Sequence, residues 1–271
     1  TNQPTQRLPD PIFIYLFIEE KMRTHILPYF NERPAKISAL VLHCSAHDTK
    51  DMIAVLEKEE LSAHYVVGLN GDVTQLVPEE KRAWHAGISS WREFNNLNHN
   101  SIGIEISSMS MGQEPYSERQ INSLIELCQG IIARHHIPVR NVVGHSDIAP
   151  TRKPDPGAAF PWQKLAENGI GLWYDLNDAE KVKESNPEIL LQKIGYNTEN
   201  PAAAMYAFCR HFIPQEVAIN PDIHDLLQHP YSEDFSLPEK YLPILKACCA
   251  SFSLPEKCYP IRKTNSIRFE R

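Results

Sequence analysis

No apolar run in this 271-residue chain approaches the roughly 20 residues that a membrane-spanning helix needs. The longest candidate, residues 12–18, ends at Glu19 and Glu20. Basic charge is also in short supply: 27 Lys and Arg stand against 34 Asp and Glu, a formal net charge of −7. Such a surface repels polyphosphate, which disfavours non-specific nucleic-acid binding. The cysteines are Cys44, Cys128, Cys209, Cys248, Cys249 and Cys258, and no two form a CxxC pair. Neither a zinc ribbon nor a thioredoxin-type redox motif is therefore indicated. Three of them lie close together at 248–258, where a disulfide is an option in an oxidising compartment. With 42% hydrophobic and 23% charged residues, the composition excludes collagen-like, disordered and coiled-coil classes. What remains is a globular chain, long enough for one large domain or two unequal ones.

Residues 37–44 (ISALVLHC) form a short apolar run between Pro34 and the polar residues after Ser45, the pattern of a buried strand. Helical spacing follows over 51–60. Residues 63–69 and 73–77 are rich in β-branched side chains and flank Asn70, Gly71 and Asp72, a hairpin signal because Asn-Gly suits turn positions with φ > 0. Residues 101–107 (SIGIEIS) alternate as a strand, and 141–144 form another. A long helix is predicted over 117–136, with Ser117 as cap and Ile121, Leu124, Ile125, Cys128, Ile131 and Ile132 on one stripe. Together these predict one α/β domain over 35–175, a mixed central β-sheet flanked by helices, after an N-terminal extension over 1–34.

Beyond Trp173 acidic and amide residues suggest a linker. Helices are expected around 189–194, ended by Gly195, and after Asn200-Pro201 and Asn220-Pro221, with each Asn as cap and each Pro at the first helical position. This makes 176–232 a linker plus a small, separate, all-α three-helix module. The extension over 233–271 carries a duplication, FSLPEKY from residue 235 and FSLPEKC from residue 252.

Several residues carry chemistry. His43 ends the first apolar strand, where α/β proteins tend to place reactive groups, although a lone His there is more often structural. His145 closes the short strand at 141–144, and Asp155 follows ten positions later in a loop stiffened by proline. Two imidazoles and one carboxylate are a common zinc set, leaving a fourth tetrahedral position for water. His47 competes with His43, yet spacing of four aligns two ligands only on a helix. Cys44 points to the opposite strand face and belongs in the core. His64 reads equally as an interior hydrogen-bonded imidazole or as a substrate contact. Trp84 and His85 are further contact candidates, the indole offering a flat apolar platform. Glu105 projects opposite Ile102, Ile104 and Ile106, either as an ordinary polar-face carboxylate or as one held for a purpose.

Six segments in order, LHCSA (42–46), SAHYVV (62–67), QLVP (75–78), RAWHAG (82–87), SIGIE (101–105) and VGHSDIAP to DPG (143–157), resemble the zinc-dependent N-acetylmuramoyl-L-alanine amidases. FPW (160–162) and GLW (171–173) extend the resemblance to residue 173. That family shares its fold with animal peptidoglycan recognition proteins and phage lysozyme-type amidases. Within it the chain resembles the bacterial outer-membrane lipoprotein amidases that carry a small C-terminal module. The resemblance implies His43, His145 and Asp155 as ligands of one Zn2+ per chain and Glu105 as the acid/base. It implies Lys153 as the cation at the oxyanion, with Arg152 as a rival. Some relatives carry a tyrosine before the strand His; Ala63 stands there, so no tyrosine role transfers.

The implied reaction cleaves the amide between N-acetylmuramic acid and L-alanine, with peptidoglycan or muropeptide as the partner. The alternatives are a non-catalytic peptidoglycan receptor of the same fold and a sugar deacetylase. Residues 186–230 resemble a three-helix peptidoglycan-binding domain through QKIGY (192–196) and AFCRHF (207–212), but the usual Gly and Thr are missing around 220–224. A chain that begins at Thr1, and a wall substrate, lead to the expectation of a periplasmic protein, with an outer-membrane lipid anchor upstream of Thr1 left open.

Overall fold

The computed structural model describes residues 22–253. The apolar run at 12–18, Cys258 and most of the second FSLPEK copy lie outside these residues. Strands β1 (Arg23–Thr24), β2 (Phe30–Glu32) and β3 (Ala39–Ser45) lead into α1 (Thr49–Lys58), which Asp48 caps by accepting the Asp51 N–H. Strands β4 (Tyr65–Val67) and β5 (Val73–Gln75) form the expected antiparallel hairpin, with Gly71 at φ 76°. Then come β6 (Lys81–Ala83), β7 (Ser90–Trp91), β8 (Phe94–Asn95) and β9 (Ser101–Ser107). Ser117 caps α2 (Glu118–His135) as its position predicts, and β10 (Val142–Gly144) follows.

The central sheet has the order β1-β5-β4-β9-β3-β10. All its pairings are parallel except β4 with β5, so the sheet is mixed, as expected. Alternation along β3 and β9 separates two cores. Leu40, Leu42, Cys44, Ile102, Ile104 and Ile106 face the first, which α2 covers with Ile121, Leu124, Cys128 and Ile131. Ala39, Val41 and Val143 face the second.

After β10 come α3 (His145–Ile148), α4 (Trp162–Glu167), α5 (Pro187–Ile194), α6 (Pro201–Phe212), α7 (Ile223–Gln228) and α8 (Leu242–Ser253). His145 opens α3 rather than closing the strand. The C-terminal helices are not a separate module: Leu190, Leu191, Ile194, Ala204, Phe208, Phe212, Leu245, Cys248 and Phe252 join Val41, Trp91, Leu97, Val143 and Ile148 in one buried cluster. Leu226 of α7 reaches the other core. The acidic linker carries a 3-10 helix at Leu176–Lys181, and Val182 beside it packs on the second core. Asp222, not Asn220, caps α7 by accepting from His224 and Asp225 N–H; Asn220 accepts from Asp222 one step earlier. Cys44, Cys128, Cys209, Cys248 and Cys249 are free and buried, so the disulfide option is not taken among the described residues. No helix among them is long and apolar enough to cross a membrane.

Candidate metal centre

Parallel pairing gathers the carboxyl ends of three strands, the usual position of a site in a sheet of this kind. His43 on β3 lies in register with Glu105 on β9, and His145 is the first residue after β10. Asp155 arrives on a loop that the Ser146 N–H anchors by donating to the Asp155 carbonyl over 2.8 Å. The Tyr116 hydroxyl holds the next residue, donating to the Pro156 carbonyl over 2.7 Å. Two glycines allow this loop to touch the segment after β9. A Cβ on Gly112 would stand 1.8 Å from the Pro156 carbonyl oxygen, and one on Gly157 would stand 2.4 Å from that of Gly112. Both have positive φ, 69° and 89°, so a side chain at either is doubly unfavourable.

The resulting centre is buried, with His43, His145 and Asp155 at 1%, 4% and 3% exposure. Their Nδ1, Nδ1 and carboxylate atoms all lie within 4.8 Å of one another. The two Nδ1 atoms are 2.8 Å apart, and Asp155 Oδ2 is 3.4 Å from that of His43 and 3.1 Å from that of His145. His145 donates its Nε2–H to the Ala86 carbonyl over 3.1 Å, which turns the Nδ1 lone pair inward. Burial, then the neighbouring His145, pushes the His43 imidazole down to about 4, so it is neutral at pH 7, as a metal ligand must be. Two imidazole nitrogens and a carboxylate oxygen suit zinc.

Glu105 stands beside this set. Its Oε2 is buried without a hydrogen-bond partner among the described residues, which marks a place kept for something the protein itself does not supply. Burial, then the charge of Asp155, raises its carboxyl to about 8, partly offset by the positive charge of Lys153. Lys153 acts on His43 as well. The rival Arg152 donates instead to the carbonyls of Ala86 and Ile88, tying down the loop that also receives His145.

The contact candidates are placed differently. His64 is fully buried: its Nδ1 accepts the Gly103 N–H over 2.9 Å, and its Nε2 faces the Lys81 carbonyl at 3.1 Å. These bonds are what the interior alternative expects. Trp84 donates its indole N–H to Asn31 Oδ1. His85 lies behind His43, its Nδ1 2.9 Å from His43 Nε2. His47 bonds Ser45 Oγ and is outside the ligand set, while Cys44 is in the first core, as strand alternation predicts.

Asp147 supports the centre although no sequence motif marks it. Buried at 1% exposure, it accepts the Gly144 N–H on Oδ2 and the Tyr196 hydroxyl on Oδ1, with His211 Nδ1 2.8 Å from Oδ2. It thus fastens α6 and the α5–α6 loop to the turn that presents His145. Only the run of polar residues at 145–147 hinted at it, because its partners are 49 and 64 positions away.

The buried histidines make acid stability testable. Burial, then the charge of Arg33, lowers His64 to about 3 from an ordinary 6.5. Between those values the unfolded chain binds a proton that the native protein refuses, so stability is present above pH 6.5 and is lost as pH falls. In the His64→Gln variant the metal-free protein should lose about one proton of this dependence. Urea midpoints at pH 7 and pH 5 measure it; equal slopes in the two proteins would show His64 to be solvated.

The N-acetylmuramoyl-L-alanine amidase family matches residues 33–158. The chain is 46% identical over 154 residues to N-acetylmuramoyl-L-alanine amidase AmiD of Escherichia coli, an alignment covering 52% of this chain but only 56% of AmiD. It is 39% identical over 129 residues to the 1,6-anhydro-N-acetylmuramyl-L-alanine amidase AmpD of Enterobacter cloacae, covering 48% of this chain and 68% of that protein. The fold superposes on a structure of E. coli AmiD with TM-score 0.64 at 34% identity, over 80% of this chain and 91% of the other. That structure holds AmiD with its substrate anhydro-N-acetylmuramic acid-L-Ala-D-gamma-Glu-L-Lys. A His-His-Asp centre beside a half-buried strand carboxylate, in a chain of which 80% superposes on AmiD and which is 39% identical to AmpD over 68% of that protein, places this chain in the N-acetylmuramoyl-L-alanine amidase family.

Proposed function

We propose that this chain is a zinc-dependent hydrolase that cleaves the amide bond between N-acetylmuramic acid and the L-alanine of a muropeptide or peptidoglycan stem. The observation that carries the reading is the complete three-ligand cluster next to the unpaired carboxylate of Glu105. The muropeptide bound by AmiD supports the substrate class. His43 Nδ1, His145 Nδ1 and an Asp155 oxygen would hold the metal. Zinc, when bound there, lowers the pKa of water and polarises the scissile carbonyl. Glu105 takes a proton from the attacking water and delivers it to the alanine nitrogen as the C–N bond breaks. Its environment equips it for both halves of that exchange, because burial favours the protonated form and Lys153 the ionised one. The Lys153 ammonium, with no ion-pair partner among the described residues, is left to neutralise the developing oxyanion. A purely binding protein has no use for a strand carboxylate with a buried, unpartnered oxygen beside a full ligand set, which disfavours the receptor alternative.

Elemental analysis tests the metal assignment. The wild-type protein should carry about one zinc per chain, and His43→Ala or His145→Ala should lose both the metal and muramyl-peptide cleavage. Undiminished zinc in both variants would overturn it.

A further inference from the structure

His85 stands in a file of polar groups whose hydrogens can be placed one after another from a single fixed end. The Leu97 carbonyl cannot donate, so the Ser101 hydroxyl bonded to it must give it its only hydrogen. The Ser101 oxygen then has only lone pairs for its 3.2 Å contact with His85 Nε2, which must therefore carry the proton. A neutral His85 protonated there presents a bare Nδ1 to His43, 2.9 Å away. His43 must donate from Nε2, and its Nδ1 lone pair is turned toward His145 and Asp155.

Space for the file comes from the same strand. Ser101, Gly103 and Glu105 alternate onto one face of β9, opposite Ile102, Ile104 and Ile106. A Cβ on Gly103 would lie 2.4 Å from the His85 ring, so that position must be bare for the imidazole to sit behind His43.

We propose that Ser101 and His85 are positioning residues that lock His43 in the Nε2–H tautomer, holding its Nδ1 ready for the metal. The inference rests on the zinc reading above. The SIGIE segment then supplies a hydroxyl, a gap and an acid, each acting on the same centre.

Two readouts test it. In the metal-free protein, nitrogen-15 NMR should find the His43 proton on Nε2 in the wild type and partly on Nδ1 in Ser101→Ala and His85→Phe. Competition with a chromophoric chelator should find zinc bound roughly 10–100-fold more weakly in those two variants, with Ser101→Thr, which keeps the hydroxyl, within about threefold of wild type. Circular dichroism melts of the metal-free proteins select variants that fold. A wild-type His43 proton on Nδ1, or unchanged zinc affinity in both folded variants, would overturn the relay. A wild-type protein that binds no zinc at all would overturn the zinc reading instead, while the NMR result would still decide the tautomer.

Discussion

Glu105→Gln should lower muramyl-peptide turnover by roughly two to four orders of magnitude while zinc stays bound. Glutamine keeps the shape of the side chain but can neither accept nor release the proton, and Glu105 is not among the three ligands. The same change carries an opposite signature in stability. Burial raises the folded-state carboxyl to about 8, whereas the unfolded chain titrates near the ordinary 4.5. Between those values the native protein binds the extra proton, so this group's contribution to stability falls as pH rises and is fully lost above pH 8. A neutral amide removes that loss, so the metal-free variant should be more stable than wild type at pH 8.5 and nearly equal at pH 4. Initial rates, zinc content and urea midpoints on one preparation test both halves. Near-normal turnover would take Glu105 out of the chemistry.

A chain ending at Asp175 should fail to fold. The sequence alone favours the opposite result, since helices after residue 186 read as an independent module. In the structure, removing them strips Leu190, Ile194, Phe208, Phe212 and Phe252 from the face of the sheet that carries Val41 and Val143. It also leaves Trp91 without Tyr196 and Phe252, and Asp147 without Tyr196 and His211. A buried carboxylate deprived of its partners and a bare apolar face are each severe losses. The single change Phe208→Ala should cost about 3–5 kcal/mol, because the ring is fully buried in that cluster. Expression, far-UV circular dichroism and cooperative melting decide the matter. A soluble, cooperatively folding truncation that cleaves muramyl peptides would restore the separate-module picture.

The site is more legible in the sequence than its support. His43 and Glu105 can be found because each lies on a seven-residue strand with a clear alternation, and register brings them face to face. Asp155 is betrayed by its prolines. The role of His85 is not visible, because WHAG describes neither the ring's neighbours nor the gap at Gly103; both arise from the packing of segments 16 and 18 positions away. Strands β1, β7 and β8 have only two residues each, too few for any period to emerge, and exist because tertiary contacts pair them. The helices themselves are marked by Asn186, Asn200 and Asp222 at their starts, but a capping pattern says nothing about which face of which sheet an apolar stripe will cover. Hence the three-helix segment is found correctly and its independence is not.

The most direct test uses a defined muramyl tripeptide and water enriched in oxygen-18, with product masses read after chelator treatment and after zinc is restored. The expected result is zinc-dependent release of the free peptide with an unlabelled alanine amine, and one heavy oxygen in the lactyl carboxylate of the N-acetylmuramic acid. Heavy oxygen in released acetate, or an intact substrate at full zinc occupancy, would contradict an amidase built on His43, His145, Asp155 and Glu105.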